Sequence, residues 1–126
     1  MINMMNSTGV WVDDGDKAYD FYVNKLGFKV LQDQKIGESG RFIRVIPPGG
    51  GTALMLTTPM PGMGDVKVGG QTPIAWETDD IQATYENLRA KGVEFTQAPT
   101  QQFWGGFEAT FKDPAGHLFK LLQMKA

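Results

Sequence analysis

Short runs of alternating apolar and polar residues predict strands, and two longer stretches have the spacing of helices. In DDGDKAYDFYVNKLGF the apolar residues lie near one helical face, formed by Ala18, Phe21, Tyr22 and Leu26. In DDIQATYENLRAKGVEF the face is formed by Ile81, Thr84, Tyr85 and Leu88. Each stretch follows a β-like run, TGVWV before the first and TPIAWET before the second. The pattern therefore predicts two strand–helix units.

Both helices carry start and stop signals. An Asp-Asp pair precedes each one, at 13–14 and at 79–80, and one carboxylate of each pair is expected to accept hydrogen bonds from free amides of the first turn. Gly27 and Gly92 follow the last apolar positions, and glycine readily takes the left-handed conformation that ends a helix. The predicted helices therefore begin after the acidic pairs and end at these glycines.

The second unit repeats the first at a nearly constant spacing. Gly27 and Gly92 are 65 residues apart, and the same spacing places PPGGGTALML on DPAGHLFKL, with Gly51 on Gly116. The acidic pairs are 66 apart, which one extra residue in the first copy, Gly15, accounts for. Repeated matches at one spacing indicate a duplicated supersecondary unit.

Each copy is predicted to contain a strand, a helix and then three strands. We expect a single domain over residues 1–126, with repeat one at about 5–57, a linker at 59–71 and repeat two at about 72–124. A second irregular stretch, APTQQFWGG, is expected at 98–106. The predicted later strands are FKVLQDQKIG, GRFIRVIP and TALMLTT in the first copy and VEFTQ, GFEATFK and HLFKLLQ in the second.

Composition narrows the classes of partner. The 126 residues have a net charge of −2 and no cysteine, which excludes disulfides and thiolate metal sites and disfavours a nucleic-acid surface. No apolar run approaches the roughly 20 residues of a membrane span, so no membrane partner is expected. The opening MINMMNSTGVWVDD lacks a basic segment followed by an apolar core, so no secretory signal is predicted. A cytoplasmic protein is expected.

The motifs FY…LGF and DPAG, in this order and spacing, resemble those of the vicinal oxygen chelate superfamily. It includes glyoxalase I, extradiol dioxygenases and the fosfomycin- and bleomycin-resistance proteins. The resemblance covers nearly the whole chain. It implies an α+β fold in which two βαβββ repeats form curved mixed sheets that make a cup, and it implies a homodimer. Because the superfamily hosts several chemistries, the resemblance alone does not fix a function.

In the metal-dependent members the ligands are usually His or Glu, from the first and last strands of each repeat. Motif alignment places these four positions at Ser7, Met55, Pro73 and Lys120, and a one-residue slip replaces the first-strand pair by Thr8 and Thr72. Proline has no side-chain donor, lysine brings a cation, and methionine is a soft ligand. A catalytic ion needs about three converging protein ligands. We therefore expect no family-type metal site and no cofactor.

Strand alternation gives a candidate lining for the implied cup: Trp11, Met55, Glu77 and Lys120. The tryptophan face can stack on a planar or cationic ligand, and the glutamate can accept its donors. Two alternatives remain: Trp11 belongs to the core, or Glu77 and Lys120 form only an ion pair. Trp76 is expected in the core. Trp104, after Phe103 in the Gly-rich stretch, belongs either to a mobile aromatic lid over the ligand or to a subunit interface.

Three further side chains have open roles. His117 is the only histidine in the chain and follows the DPAG turn, on the strand face opposite Lys120. We expect a partly exposed turn histidine, with an acid–base role as the alternative because imidazole titrates near neutrality. Arg41 and Arg44 hold either an anionic ligand or an edge position.

Two function classes follow. The first is a metal-independent small-molecule binder similar to the bleomycin-resistance branch, sequestering an antibiotic or an aromatic metabolite. The second is a glyoxalase- or dioxygenase-like enzyme, a lyase or an oxidoreductase, with atypical ligands or with Glu77 as a base. The unsuitable ligand positions favour the binder, and no catalytic residue is assigned.

Overall fold

The computed structural model describes residues 1–125. It contains two copies of the predicted βαβββ order, and the first helix continues into a π-helical turn. The first copy comprises β1 (Ser7–Trp11), α1 (Gly15–Tyr19), the π turn (Asp20–Lys25), β2 (Lys29–Ile36), β3 (Gly40–Ile46) and β4 (Ala53–Thr57). The second comprises β5 (Gly70–Glu77), α2 (Ile81–Ala90), β6 (Glu94–Gln101), β7 (Phe107–Lys112) and β8 (His117–Gln123).

Each copy forms one four-stranded mixed sheet. Sheet 1 has the order β1-β4-β3-β2, and sheet 2 has the equivalent order β5-β8-β7-β6. The first and last strands of each copy pair in parallel and the other pairs are antiparallel. Contacts divide the chain into two compact units, of which the second begins at Gly70. The predicted α+β class and the two βαβββ repeats are therefore confirmed.

Both helices begin and end at the predicted kinds of residue. Asp14 accepts a hydrogen bond from the backbone N–H of Lys17 at 3.1 Å, and Asp80 accepts one from Ala83 at 3.0 Å. Gly27 and Gly92 have φ values of +77° and +91°. Glycine adopts this region without the steric cost that a Cβ would impose. No helix within residues 1–125 has the length and apolar character needed to cross a bilayer.

The extra residue of the first copy does not lie at Gly15, as the sequence comparison suggested. The capping residues Asp14 and Asp80 are 66 residues apart, and each binds the amide three residues later. The spacing between the copies is therefore still 66 after Gly15. The extra residue is instead taken up in the π turn, where the Leu26 N–H donates to the Phe21 carbonyl, five residues back, at 2.9 Å. Gly15 has a different role, because a Cβ there would lie 2.7 Å from the Cδ of Arg41.

Each sheet buries one face against its own helix. We call the opposite side the open face of that sheet. On sheet 1 the helix-facing core contains Val12, Ala18, Phe21, Tyr22, Ile43, Val45, Leu54 and Leu56. On sheet 2 it contains Ile81, Leu88, Val93, Ala109, Phe111, Phe119 and Leu121. Trp76 packs with this second core, its ring centroid 6.0 Å from that of Phe119, as expected.

Two segments expected to be irregular are partly strand. β5 begins at Gly70, which pairs with His117, so regular structure starts inside the predicted linker. β6 runs on to Gln101, although 98–106 was expected to be loop. Proline is uncommon inside strands, yet Pro99 lies within β6. It lies at a register irregularity between Gln97 and Thr100 on an edge strand, where a missing N–H costs no ladder hydrogen bond.

Candidate functional site

The open face of sheet 1 carries an aromatic and apolar surface. Strand register places Gly9, Met55 and Arg44 side by side, with Gln32 beyond them on β2. Residues two positions along a strand share its face. The adjacent row across the same face is therefore formed by Trp11, Thr57, Phe42 and Gln34.

A shallow concavity of about 250 Å³ lies on this face, lined by Gly9, Val10, Trp11, Met55 and Thr57. The absence of a side chain at Gly9 leaves space for this concavity, because a Cβ there would lie 3.2 Å from the Met55 Cβ and 3.4 Å from its terminal methyl carbon. Trp11 and Met55 are both partly exposed. The structure thus brings two predicted ligand contacts, Trp11 and Met55, to one concavity, and Trp11 does not belong to the buried core of sheet 1.

Arg41, one of the two arginines considered for anion binding, is held within the fold. Its Nε and one Nη donate to the two carboxylate oxygens of Asp33 at 3.0 and 2.9 Å, and its other Nη pairs with Asp16. The hydrogen bond to Asp33 is the main cause of its raised pKa, and the same contact lowers the pKa of Asp33. The guanidinium also lies over the Tyr19 ring, at 5.3 Å from its centroid. Arg41 therefore joins α1 to sheet 1.

The open face of sheet 2 is polar and charged. Lys120 donates to the Thr110 hydroxyl at 3.0 Å and forms an ion pair with Glu108 at 3.3 Å. Glu77 is exposed and pairs in register with Leu122 on the same face. Within residues 1–125 its carboxylate makes no hydrogen bond or ion pair. The alternative of a Glu77–Lys120 ion pair is therefore wrong: Lys120 is held by Glu108.

The residues at the family's metal positions do not fit an ion. Ser7, Met55 and Lys120 come from the first and last strands, as aligned, but they offer a hydroxyl, a thioether and an ammonium group. Pro73 offers no side-chain donor. Lys120 is already paired, and a cation at this position repels a metal. Among residues 1–125, no group of three or more His, Cys, Asp or Glu side chains is placed to hold a metal.

His117 is buried, so the expectation of a partly exposed turn histidine is wrong. Its side chain is 3% exposed and that of Asp113 is 1% exposed. The Asp113 carboxylate accepts from the His117 backbone N–H at 2.7 Å and lies 2.8 Å from its Nδ1. The imidazole faces the core of sheet 2, 6.2 Å from the Phe119 ring, on the side opposite Lys120. This placement favours a structural role over contact with a ligand.

Trp104 lies in the turn between β6 and β7, apart from the strand rows. It is 38% exposed, and its ring lies against the backbone of Gly106, where a Cβ would overlap it. The neighbouring Phe103 is 99% exposed. Trp104 therefore packs against its own turn. Because its ring is still partly exposed, it is a second candidate for stacking after Trp11.

Sequence reasoning missed three contributors to the open faces: Phe42 on sheet 1, and Glu108 and Thr110 on sheet 2. Each lies on a third strand, whose neighbours depend on register rather than on local pattern. Alternation within GFEATFK does place Glu108 and Thr110 on one face, and this was the available signal.

Comparison with solved structures shows where this architecture occurs. A member of the glyoxalase/bleomycin resistance protein/dioxygenase superfamily from Sphaerobacter thermophilus DSM 20745 is 39% identical, with a TM-score of 0.88, and the match covers 97% of this chain and 98% of that one. TnmS3, an antibiotic binding protein from Streptomyces sp. CB03234, is 34% identical with a TM-score of 0.78, and the match covers 95% and 94%.

Sequence comparisons agree. The uncharacterized protein YetH of Bacillus subtilis (strain 168) is 35% identical over 121 residues, or 96% of this chain and 98% of YetH. Lactoylglutathione lyase GLX1 of Arabidopsis thaliana is 33% identical over 117 residues, 89% of this chain but 41% of the lyase. The family model for the glyoxalase/bleomycin resistance protein/dioxygenase superfamily matches residues 4–121. The chain therefore belongs to this superfamily, as the FY…LGF and DPAG motifs indicated.

Proposed function

We propose that this protein is a metal-independent small-molecule binder whose ligand is a planar aromatic compound, an antibiotic or an aromatic metabolite. The observation that carries the proposal is the concavity beside Trp11 and Met55 on the open face of sheet 1. Similarity to TnmS3, an antibiotic binding protein, supports the same class of function. The donor set at the family's metal positions supports binding without an ion.

Trp11 supplies the stacking surface. A ring stacked on an aromatic side chain contributes about 1–3 kcal/mol. Met55 borders the same concavity, and its flexible thioether adapts to ligands of different outline. Gly9 leaves the space between Trp11 and Met55 open, since a side chain at this position would contact Met55 too closely. These three positions therefore form the apolar part of the proposed site.

In this proposal Glu77 and Lys120 bind polar groups of a ligand on the open face of sheet 2. Glu77 has an exposed carboxylate without a protein partner within residues 1–125, so it is available to an N–H donor or a cation. Lys120 is oriented by Glu108 and Thr110, and its side chain is still 42% exposed. An ammonium held in this way presents its remaining donor to an acceptor without first losing an internal bond.

Isothermal titration with aromatic antibiotics and fused-ring metabolites tests the proposal. Trp11→Ala is expected to weaken binding of a ring ligand roughly tenfold or more, since 1.4 kcal/mol corresponds to one decade. Trp104→Ala tests the second candidate, and it is expected to leave the affinity within about twofold, or about 0.4 kcal/mol, if Trp11 is the stacking residue. Glu77→Gln should weaken only ligands that carry a cation or an N–H donor. If Trp104→Ala weakens binding and Trp11→Ala does not, the stacking role belongs to Trp104 and the proposed site is wrong.

The 33% identity with lactoylglutathione lyase GLX1 favours a second candidate, a lyase. In the metal-dependent branch of the superfamily such chemistry uses a divalent ion, and Ser7, Met55, Pro73 and Lys120 do not form a ligand set for one. A metal-independent enzyme with Glu77 as a base remains compatible with that exposed carboxylate. Stoichiometric metal in protein purified without added metal would favour the lyase over the binder.

We also propose a homodimer and a cytoplasmic location. The family resemblance supports the dimer, and so does the exposure of large apolar side chains, among them Phe103 and Met63. Exposed apolar surface costs roughly 25 cal/mol per Å² in water, and a second subunit would cover part of it.

A further inference from the structure

The Arg44 guanidinium on the open face of sheet 1 makes no contact that would hold it within the protein. It is paired in register with Met55 on one side and with Gln32 on the other. Phe42, two positions earlier on the same strand face, lies in the row that contains Trp11. The residue is partly exposed, and among residues 1–125 its side chain has no hydrogen bond, ion pair or ring contact.

Arg41, three residues earlier on the same strand, has different surroundings from Arg44. Arg41 points to the helix side, where Asp33 and Asp16 bind its guanidinium. Arg44 points to the open side, where the strand rows around it contain no carboxylate. Lys29, which pairs with Ile46 at the edge, adds a second positive charge to that face. The open face of sheet 1 is therefore positive as well as aromatic.

A bound anion would supply the hydrogen-bond acceptors that the Arg44 guanidinium does not find in the strand rows around it. Arginine is suited to this, because its planar fork binds both oxygens of a carboxylate. Two strand spacings of about 4.8 Å and one two-residue step of about 6.8 Å separate Trp11 from Arg44, or roughly 12 Å between Cα atoms. The two side chains can span this distance around one fused-ring ligand.

We propose that the ligand of this face is an aromatic carboxylate, with its ring on Trp11 and its carboxylate on the Arg44 guanidinium. The inference rests on the proposed function, since it assumes that this face binds a ring. It adds the charge of the ligand, which selects acids over neutral and cationic rings. Neither the contact with Trp11 nor the contact with Arg44 involves Glu77 or Lys120, so the inference is independent of the polar groups assigned to sheet 2.

Matched pairs of probes distinguish the carboxylate inference from the proposed function. Anthraquinone-2-carboxylate is compared with anthraquinone-2-carboxamide, and 2-naphthoate with 2-naphthamide, by isothermal titration at low and at high salt. In the parent protein each acid is expected to bind about 10- to 100-fold more tightly than its amide, as a hydrogen-bonded charge pair provides. High salt should reduce this preference, because screening weakens a partly exposed pair.

Variants then assign the preference to one residue. Arg44→Gln is expected to remove the acid–amide difference while leaving the affinity for the amide within about twofold, roughly 0.4 kcal/mol. Arg44→Lys should retain part of the difference, and the matched control Lys29→Gln should retain nearly all of it. Circular dichroism confirms that each variant is folded.

The outcomes are distinct. If the parent binds acid and amide equally, or if Arg44→Gln keeps the difference, the carboxylate inference is wrong while binding of the ring still supports the proposed function. If the parent binds none of the four probes, both the inference and the aromatic site are overturned.

Discussion

The turn between β7 and β8 depends on the carboxylate of Asp113, and we predict that Asp113→Ala destabilises the fold by about 3 kcal/mol. The carboxylate is 1% exposed, accepts from the His117 backbone N–H at 2.7 Å and lies 2.8 Å from the imidazole Nδ1. The substitution leaves both groups buried without this acceptor, at about 1–3 kcal/mol each.

Two backbone hydrogen bonds of the turn survive the substitution. The Asp113 N–H donates to the His117 carbonyl and the Gly116 N–H donates to the Asp113 carbonyl, each at 3.0 Å. The turn is therefore expected to keep its path, and the loss arises from the side chain. For a chain of this length 1 kcal/mol corresponds to roughly 4 °C, so a loss of about 3 kcal/mol should lower Tm by roughly 12 °C.

Urea unfolding followed by circular dichroism measures the effect, with an unchanged dependence on denaturant concentration as evidence that only stability has changed. Asp113→Asn retains a carbonyl acceptor for the backbone N–H and should cost about 1 kcal/mol. Asp65→Ala removes an exposed carboxylate and is the matched control, expected within about 0.5 kcal/mol of the parent. If Asp113→Ala lies within the same range as this control, the carboxylate does not hold the turn.

Three further predictions concern charge, metal content and assembly. Arg41 lowers the pKa of Asp33, so this pair stabilises the fold above the unfolded-state value near 4 and loses the effect as pH falls through the lower folded-state pKa. Asp33→Asn should therefore cost under about 1 kcal/mol at pH 7 and close to nothing at a pH below that folded-state pKa. An equal cost at both pH values would contradict this. Elemental analysis of protein purified without chelator or added metal should find no stoichiometric Ni, Zn, Fe or Mn, and one ion per chain would refute metal independence. Light scattering at micromolar concentration should give the mass of a dimer, and a clean monomer mass would exclude it.

Much of the fold was predictable because its signals are local. A capping aspartate, an apolar helical face and a closing glycine occupy a dozen or so consecutive residues, and the second copy repeats them. The chain order of the repeat therefore followed from the sequence. Register does not follow in this way. Bulges in β2, β5 and β6 shift the partners of whole strands, and the alternation of apolar and polar residues within each strand does not show where they lie.

The candidate site was likewise predictable where it depends on local pattern, and not where it depends on register or on the path of a turn. Trp11 and Met55 were predicted to share a face, and they border one concavity because β1 and β4 pair in parallel without a shift. The partner of Lys120 was assigned to Glu77 in the ion-pair alternative, whereas β7 supplies Glu108. The burial of His117 was missed because it depends on the path of the turn, which places the Asp113 carboxylate beneath it.

The π turn after α1 explains how two repeats of unequal length can keep equivalent frames. An α-helical hydrogen bond spans four residues and a π-type bond spans five, so one residue can be added within a helix while both of its ends stay at the same cap and the same closing glycine. The insertion is confined to Asp20–Lys25, and the strands on either side keep their pairing. A helix of this kind buffers insertions and deletions, which allows the halves of a duplicated protein to diverge in length without losing their shared architecture.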